Sequence, residues 1–235
     1  MKLSFHTAAL GAVFCAALCV MLGSCATAGG TVTESFTVDS RGTPVTLGEI
    51  ELQMESFLGL GNLKKIAVPV TYYPKDDAVC LQYRYNLINF YQFWSRKGRM
   101  YFQSALDSYN NDYNERNLSR NERKSGEKYG ETVGYLVWQQ GNFLVRAEGN
   151  MKIHFGYTFK NRAPFFTVLQ LQAEYTDEMT RDNDRTSDVV LMYFTRAQAA
   201  ALAALLDQEI LDQYKLNVSS DKDKNDDYYM ERDDY

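Results

Sequence analysis

The amino-acid sequence predicts an α+β fold: a mainly antiparallel sheet built from two successive strand-rich halves, each closed by a helix. Three observations predict it. Over most of the body apolar residues alternate with polar ones, as half-buried strands require. Two stretches, one near the middle and one near the end, switch to three- and four-residue steps, the repeat of an amphipathic helix. Aromatic residues make up 14% of the chain, with 17 Tyr and 13 Phe, and such side chains suit a pleated sheet surface.

The first half opens on Phe36 and Val38, followed by turn chemistry at Arg41-Gly42-Thr43-Pro44. In the next run Ile50, Leu52 and Met54 alternate with Glu49, Glu51 and Gln53. A third run sets Ile66, Val68, Val70 and Tyr72 on one face and Pro69 on the other. Proline cannot donate to a ladder, so this run is an edge or carries a bulge. Lys75-Asp76-Asp77 turns the chain into a fourth run, with Val79, Leu81, Tyr83 and Tyr85 on one face and Cys80, Gln82 and Arg84 on the other. From 87 to 117 the spacing of Leu87, Tyr91, Trp94, Tyr101, Ala105 and Tyr109 predicts one long helix, weakened at Gly98 by about 1 kcal/mol relative to Ala. The polar stretch up to Lys128 reads as a solvated, mobile crossover.

The second half predicts strands over 132–139, 143–148, 151–160, 165–175 and 188–194, with turns at Gly141-Asn142, Gly149-Asn150 and 161–164. Met151, Ile153, Phe155, Tyr157 and Phe159 share one face; Lys152, His154, Thr158 and Lys160 share the other. Thr195 and Gln198 match a capping box, and Ala199, Leu202, Leu206 and Ile210 line a helix ending near Leu216. The body therefore spans 34–217, possible halves being 34–117 and 131–217. The stretch 218–235 reads as a disordered acidic tail, since it holds seven carboxylates against Lys222, Lys224 and Arg232. The same composition also suits an acidic, tyrosine-bearing arm for a basic partner or a cation.

Composition excludes several classes. With 45% hydrophobic and 23% charged residues and four prolines, the body is neither disordered, nor collagen-like, nor a bundle of membrane spans. With 25 basic against 30 acidic residues, the net charge of -5 provides no general field to attract nucleic acid, which is demoted as a partner.

The start of the chain is an address. Lys2 precedes an uncharged apolar run over 8–22, which fits an export signal and is short for a transmembrane helix of about 20 residues. Directly after it stands Leu22-Gly23-Ser24-Cys25. This resembles the lipobox of bacterial lipoprotein precursors, in the relaxed form of spirochaete lipoproteins. The resemblance implies a signal peptide over 1–24, recognised by its peptidase through Leu22, Gly23 and Ser24, and a lipid carried by Cys25. It implies a flexible tether over 25–33 and a body held to the cell membrane or outer membrane, in the periplasm or at the cell surface. Ala26, next to the cysteine, resembles an outer-membrane sorting residue. More than one acyl chain gives stable anchoring. Membrane lipid is then one partner, and an envelope protein or small ligand is the other.

With Cys15 and Cys19 removed and Cys25 acylated, Cys80 is the only free thiol expected. Val79, Leu81 and Gln82 supply no base beside it, so it reads as structural. His154 reads as an exposed strand residue, since no H-E-x-x-H, C-x-x-C or G-x-S-x-G pattern accompanies it. No metal or cofactor is expected. Asp221, Asp223 and Asn225 start like an EF-hand, but Asp226 and Arg232 stand where Gly and Glu are needed. The acidic loop 177–188 is offset by Arg181 and Arg185, and Gly59-Leu60-Gly61 reads as a plain loop.

These absences favour a binding or structural protein over an enzyme. A small-ligand carrier is the alternative, on Tyr83, Tyr85, Trp138, Tyr157 and Phe159 as an aromatic pocket lining. A further alternative is the order of strands and helices, which resembles the tandem plan of the Whirly and PUR single-stranded nucleic-acid binders. In that plan Arg84, Arg146, Lys152, Lys160 and Arg96-Lys97-Arg99 would form a basic surface, although element order alone does not carry the function.

Overall fold

A computed structural model of the chain describes residues 37–38, 43–55, 62–140, 146–173 and 186–215. The chain separates after Thr33 into two units, and every described residue lies in the second, Glu34–Tyr235. Its strands are β1 (Val45–Glu55), β2 (Leu63–Tyr73), β3 (Ala78–Tyr85), β4 (Ile88–Trp94), β5 (Glu131–Gln140), β6 (Arg146–Lys160), β7 (Ala163–Gln170) and β8 (Val190–Phe194). The helix α1 (Arg96–Asn114) follows β4, and α2 (Arg196–Leu205) follows β8. Each strand pairs antiparallel with the next, and β8 returns to β1 through Gln53 with Tyr193 and Met54 with Met192. The sheet is a closed barrel.

This overturns the two-half α+β plan, and with it the Whirly and PUR likeness. Two separate four-stranded sheets would each leave two open edges with unpaired backbone groups. Pairing β4 with β5 and β8 with β1 removes them, at the strand number where side chains can fill the interior.

Two element assignments also change. Residues 88–94 form β4, not the first turns of the helix. Asn86 and Leu87 both have left-handed φ, 50° and 66°, as a two-residue hairpin turn requires. The strand then turns Phe90, Gln92 and Trp94 inward, a period of two that the helical spacing of Leu87, Tyr91 and Trp94 overlaps. Ser95 caps α1, its side chain accepting from the Gly98 N–H at 3.2 Å. The second change is that β6 runs unbroken through Gly149 and Asn150, expected to be a turn. They sit in the ladder opposite Leu136 and Tyr135 of β5, so a partner strand supplies what the local turn signal would otherwise have claimed.

The core fills the barrel. Leu52, Val70, Leu81, Phe90, Leu136, Phe155, Val168 and Met192, one from each strand, are fully buried in one cluster. Charged side chains such as Glu49, Glu51, Arg84 and Lys152 lie exposed outside. That polarity is the reverse of a membrane-spanning barrel, which turns its apolar side to lipid. Both helices follow even-numbered strands, so the up-and-down order places them at one end. There Phe102 of α1 meets Phe155 and Phe166 with ring centroids 6.0 and 5.7 Å apart, and α2 inserts Ala199 and Leu202 into the same cluster. The capping box of Thr195 and Gln198 is present. Beyond it Ile210, expected on the buried face, is exposed, and Leu211 is buried instead. Asp207 starts a fresh helical stretch over 208–215 by accepting from the N–H groups of Glu209 and Ile210, which shifts the face by one residue.

The crossover, expected to be solvated and mobile, is bound to the barrel. Leu118 packs on the core, the Ser119 N–H donates to the Tyr157 hydroxyl at 3.0 Å, and that hydroxyl also bonds Glu122. The 3-10 turn Ser125–Glu127 rests on Gly156, whose missing side chain lets the two backbones meet. Close approach of this kind is what a strand glycine permits.

Candidate functional site

The wall of the barrel parts between β2 and β3. β2 and β3 pair only between Val70–Tyr73 and Ala78–Leu81. Continued by four rungs, the register would set Pro69 against Gln82, Val68 against Tyr83, Ala67 against Arg84 and Ile66 against Tyr85. None of these pairs forms. A hollow of about 230 Å³ takes their place, lined by Ala67, Pro69, Gln82, Arg84, Asn89 and Tyr91, with Tyr83 and Phe90 behind.

Local chemistry explains the split. The two-residue turn at Asn86 and Leu87 makes Tyr85 and Ile88 a hydrogen-bonded closing pair. Bonding direction alternates along a strand, so Tyr83 and Tyr85 face β4 while Gln82 and Arg84 face β2. The first missing rung is therefore Gln82 with Pro69, and Pro69 has no N–H to give. Pairing stops one residue short of the proline, which answers the expectation of an edge or bulge there. The backbone N–H and C=O of Gln82 and Arg84 are left without a strand partner among the described residues. Arg84 is also exposed and has no ion pair among them, whereas Lys65 nearby is neutralised by Glu51 at 2.7 Å.

Behind the seam the interior is polar. The Tyr83 hydroxyl donates to Gln170, whose amide nitrogen donates to the Asp188 carbonyl at 3.3 Å. Burial pushes the Tyr83 phenol well above its ordinary range, so it stays a neutral donor. Gln92 is fully buried between Leu81 and Leu136, and neither its amide oxygen nor its nitrogen finds a partner among the described residues. An orphaned amide of this kind costs about 1–3 kcal/mol unless water or a ligand completes it.

A second hollow, about 290 Å³, lies between α1 and the stretch after α2, with Arg99, Gln103 and Gln208 in its wall. Arg99, expected on a basic surface, is buried. It bonds the Asp77 carboxylate at 2.6 Å, the Asp77 carbonyl at 2.7 Å, the Trp94 carbonyl at 3.2 Å and Gln208 at 2.8 Å. The Tyr72 hydroxyl donates to the same Asp77 carboxylate at 3.1 Å. This network clamps the β2–β3 turn, α1 and the 208–215 helix together, so its charges are spent on structure.

The other residues singled out in the sequence disperse. Cys80 is buried on the outer face with Phe93, Tyr135 and Val137, and burial pushes its thiol far above the thiolate range, consistent with a structural role. His154, expected to be exposed, is buried under the crossover. Its Nε2 lies 3.0 Å from Glu131 and its Nδ1 3.7 Å from Glu127. Lys152 pairs with Glu131 at 3.1 Å, and Lys160 with Glu55. Among the described residues no group of three or more His, Cys, Asp or Glu could hold a metal ion. Tyr83, Trp138 and Tyr157 are core residues, with Tyr85 and Phe159 packed on that core at its margin. Leu22, Gly23, Ser24 and Cys25, the tether, Gly59-Leu60-Gly61, the acidic loop over 177–185 and the tail lie outside the described residues, as does the Arg146 side chain. Sequence reasoning missed Gln92, which sits inside the stretch read as helix, and Asn89 and Tyr91 as seam residues; Pro69 was the signal for the seam.

No curated protein and no solved structure matches the chain. A family model described as an uncharacterised Treponema protein matches residues 28–213, most of the chain, and the chain belongs to that family.

Proposed function

We propose that the chain is a lipid-anchored cell-envelope lipoprotein whose barrel is a binding body and not a catalyst. The observation that carries this reading is Leu22-Gly23-Ser24-Cys25 standing directly after the apolar run of 8–22. Small residues before the cysteine admit a peptidase, and acyl chains on its sulfur hold the protein at a bilayer. Treponema is a spirochaete, and the relaxed lipobox is the spirochaete form. A barrel with charges outside and apolar side chains inside suits the aqueous side of that membrane, periplasmic or at the cell surface. The seam in its wall is the surface a partner protein would meet.

The test is Cys25→Ala. The variant is expected to accumulate as an uncleaved precursor that takes up no labelled palmitate, while the unaltered chain is cleaved and labelled. Equal labelling of both would refute the anchor.

The carrier reading draws support from one observation, the orphaned amide of Gln92 inside the barrel. Native mass spectrometry of the purified full chain tests it: the carrier reading requires a stoichiometric small molecule that is lost in Gln92→Leu. A bare mass would remove the reading.

A further inference from the structure

The seam leaves two strand edges facing one another across the hollow. On β3 the N–H and C=O of Gln82 and of Arg84 point toward it and have no strand partner among the described residues. On β2 Ala67 and Pro69 face them, both exposed, and Pro69 offers only a carbonyl. The receptive edge is therefore β3. A ligand that fits it carries donors and acceptors in alternation at about 3.3 Å per residue, which is the main chain of an extended polypeptide.

Side chains restrict the sequence of that polypeptide. Gln82 and Arg84 point out of the barrel while Tyr83 points in, so a residue paired opposite Arg84 also points out and meets its guanidinium. That guanidinium is exposed and has no ion pair among the described residues, and a carboxylate is the group it binds through two parallel bonds. On the other flank Glu49 of β1 stands exposed opposite Pro69, and Glu51 already holds Lys65 at 2.7 Å. An acidic side chain is repelled from that flank and drawn to Arg84. A second copy paired on the same edge would bring its own Arg84 beside or opposite this one, where like charges repel. The occupant that satisfies the edge is a chain of different sequence.

We propose that the β3 edge of the seam binds an extended segment of another protein as an added strand, with an aspartate or glutamate of that segment on Arg84. Gln82 and Arg84 each supply one donor and one acceptor, so the paired stretch is short and the carboxylate supplies much of its specificity. This assignment rests on the barrel being a binding body and is independent of the lipid anchor.

Hydrogen exchange on the full chain in detergent tests it with synthetic probes. One is a capped pentapeptide of valine and threonine around a central glutamate; the others are its glutamine counterpart and the glutamate peptide N-methylated at alternate residues. The glutamate peptide is expected to slow exchange of the Gln82 and Arg84 amides by about tenfold or more. The glutamine peptide, and the glutamate peptide on Arg84→Glu, should need roughly tenfold higher concentration for the same effect, and the N-methylated peptide should have none. Arg84 is exposed, so Arg84→Glu should keep the Tm of the parent. No slowing by the glutamate peptide, or equal slowing by all the peptides, would overturn the proposal. Slow exchange before any peptide is added would do the same, because the edge would then be filled by the chain itself or by a second copy. A photo-crosslinking residue at exposed Ala67, read in intact envelopes, separates this proposal from the reading beneath it. Adducts on an acidic segment of another protein are expected. Adducts on a segment without Asp or Glu would overturn the proposal and leave the barrel a binding body, and adducts to no polypeptide would count against both.

Discussion

Gly156→Ala is expected to be among the most damaging single-methyl additions to this chain. A Cβ at that position would fall inside the 3.0 Å limit that real side chains respect, and it would meet the backbone of Ser125 and Gly126, not a side chain able to swing away. The 3-10 turn must then lift by about 1 Å to recover van der Waals contact, or β6 must bend. Overpacking of this kind costs roughly 1–3 kcal/mol. Lifting the crossover also stretches the bond from Ser119 to Tyr157, at about 1 kcal/mol. The total is about 3 kcal/mol, or a fall in Tm of roughly 6–12 °C for a body of this size. Urea unfolding followed by tryptophan fluorescence reads it directly, because Trp94 and Trp138 are both buried in the barrel. Gly126→Ala is the matched control: its Cβ would meet nothing within 4 Å, and it should stay within about 0.5 kcal/mol of the parent. If Gly156→Ala is as stable as that control, the crossover does not rest on the barrel as described.

Gln92→Leu is expected to raise stability by about 1–2 kcal/mol, since it removes an unsatisfied buried amide between Leu81 and Leu136; a loss of stability in urea titration would show that water or a ligand completes the amide in the parent. Arg99→Met is expected to cost about 2–4 kcal/mol, somewhat below the roughly 3–5 kcal/mol of a fully buried pair, because Asp77 keeps the Tyr72 hydroxyl and some water; calorimetry showing an unchanged Tm would refute the clamp. Acid should weaken the fold. Hydrogen bonds from Lys160 and then Tyr193 hold the Glu55 carboxyl below its ordinary range, and bonds from Tyr157 and Lys128 do the same for Glu122. Groups with lowered folded pKa contribute stability at neutral pH and lose it as pH falls from the ordinary carboxylate range through the folded value. Denaturant midpoints should therefore decline below about pH 5, and a midpoint flat to pH 3 would contradict the assignment.

Much of the secondary structure was legible in local chemistry. Alternation marked β1, β2, β3 and the inward face of β6; Thr195 and Gln198 announced α2; Pro69 announced an edge in a strand whose other residues read as core. β4 was illegible because Phe90, Gln92 and Trp94 satisfy a period of two while Leu87, Tyr91 and Trp94 satisfy a helical one. The turn between the strands carries Leu87 where a left-handed glycine would have given it away. The continuous β6 was hidden by Gly149 and Asn150, a turn pair that a neighbouring strand held straight.

By itself the chain's order of residues carried the expectation of an export signal and a lipobox and marked the sheet-rich body and the acidic end, because each rests on a contiguous run whose chemistry acts locally. Closure into one barrel, the burial of Arg99 and His154, the orphaned Gln92 and the opening between β2 and β3 were decided only in three dimensions. Each depends on which distant strand lies alongside, and strand pairing is a contest among edges that no single stretch encodes.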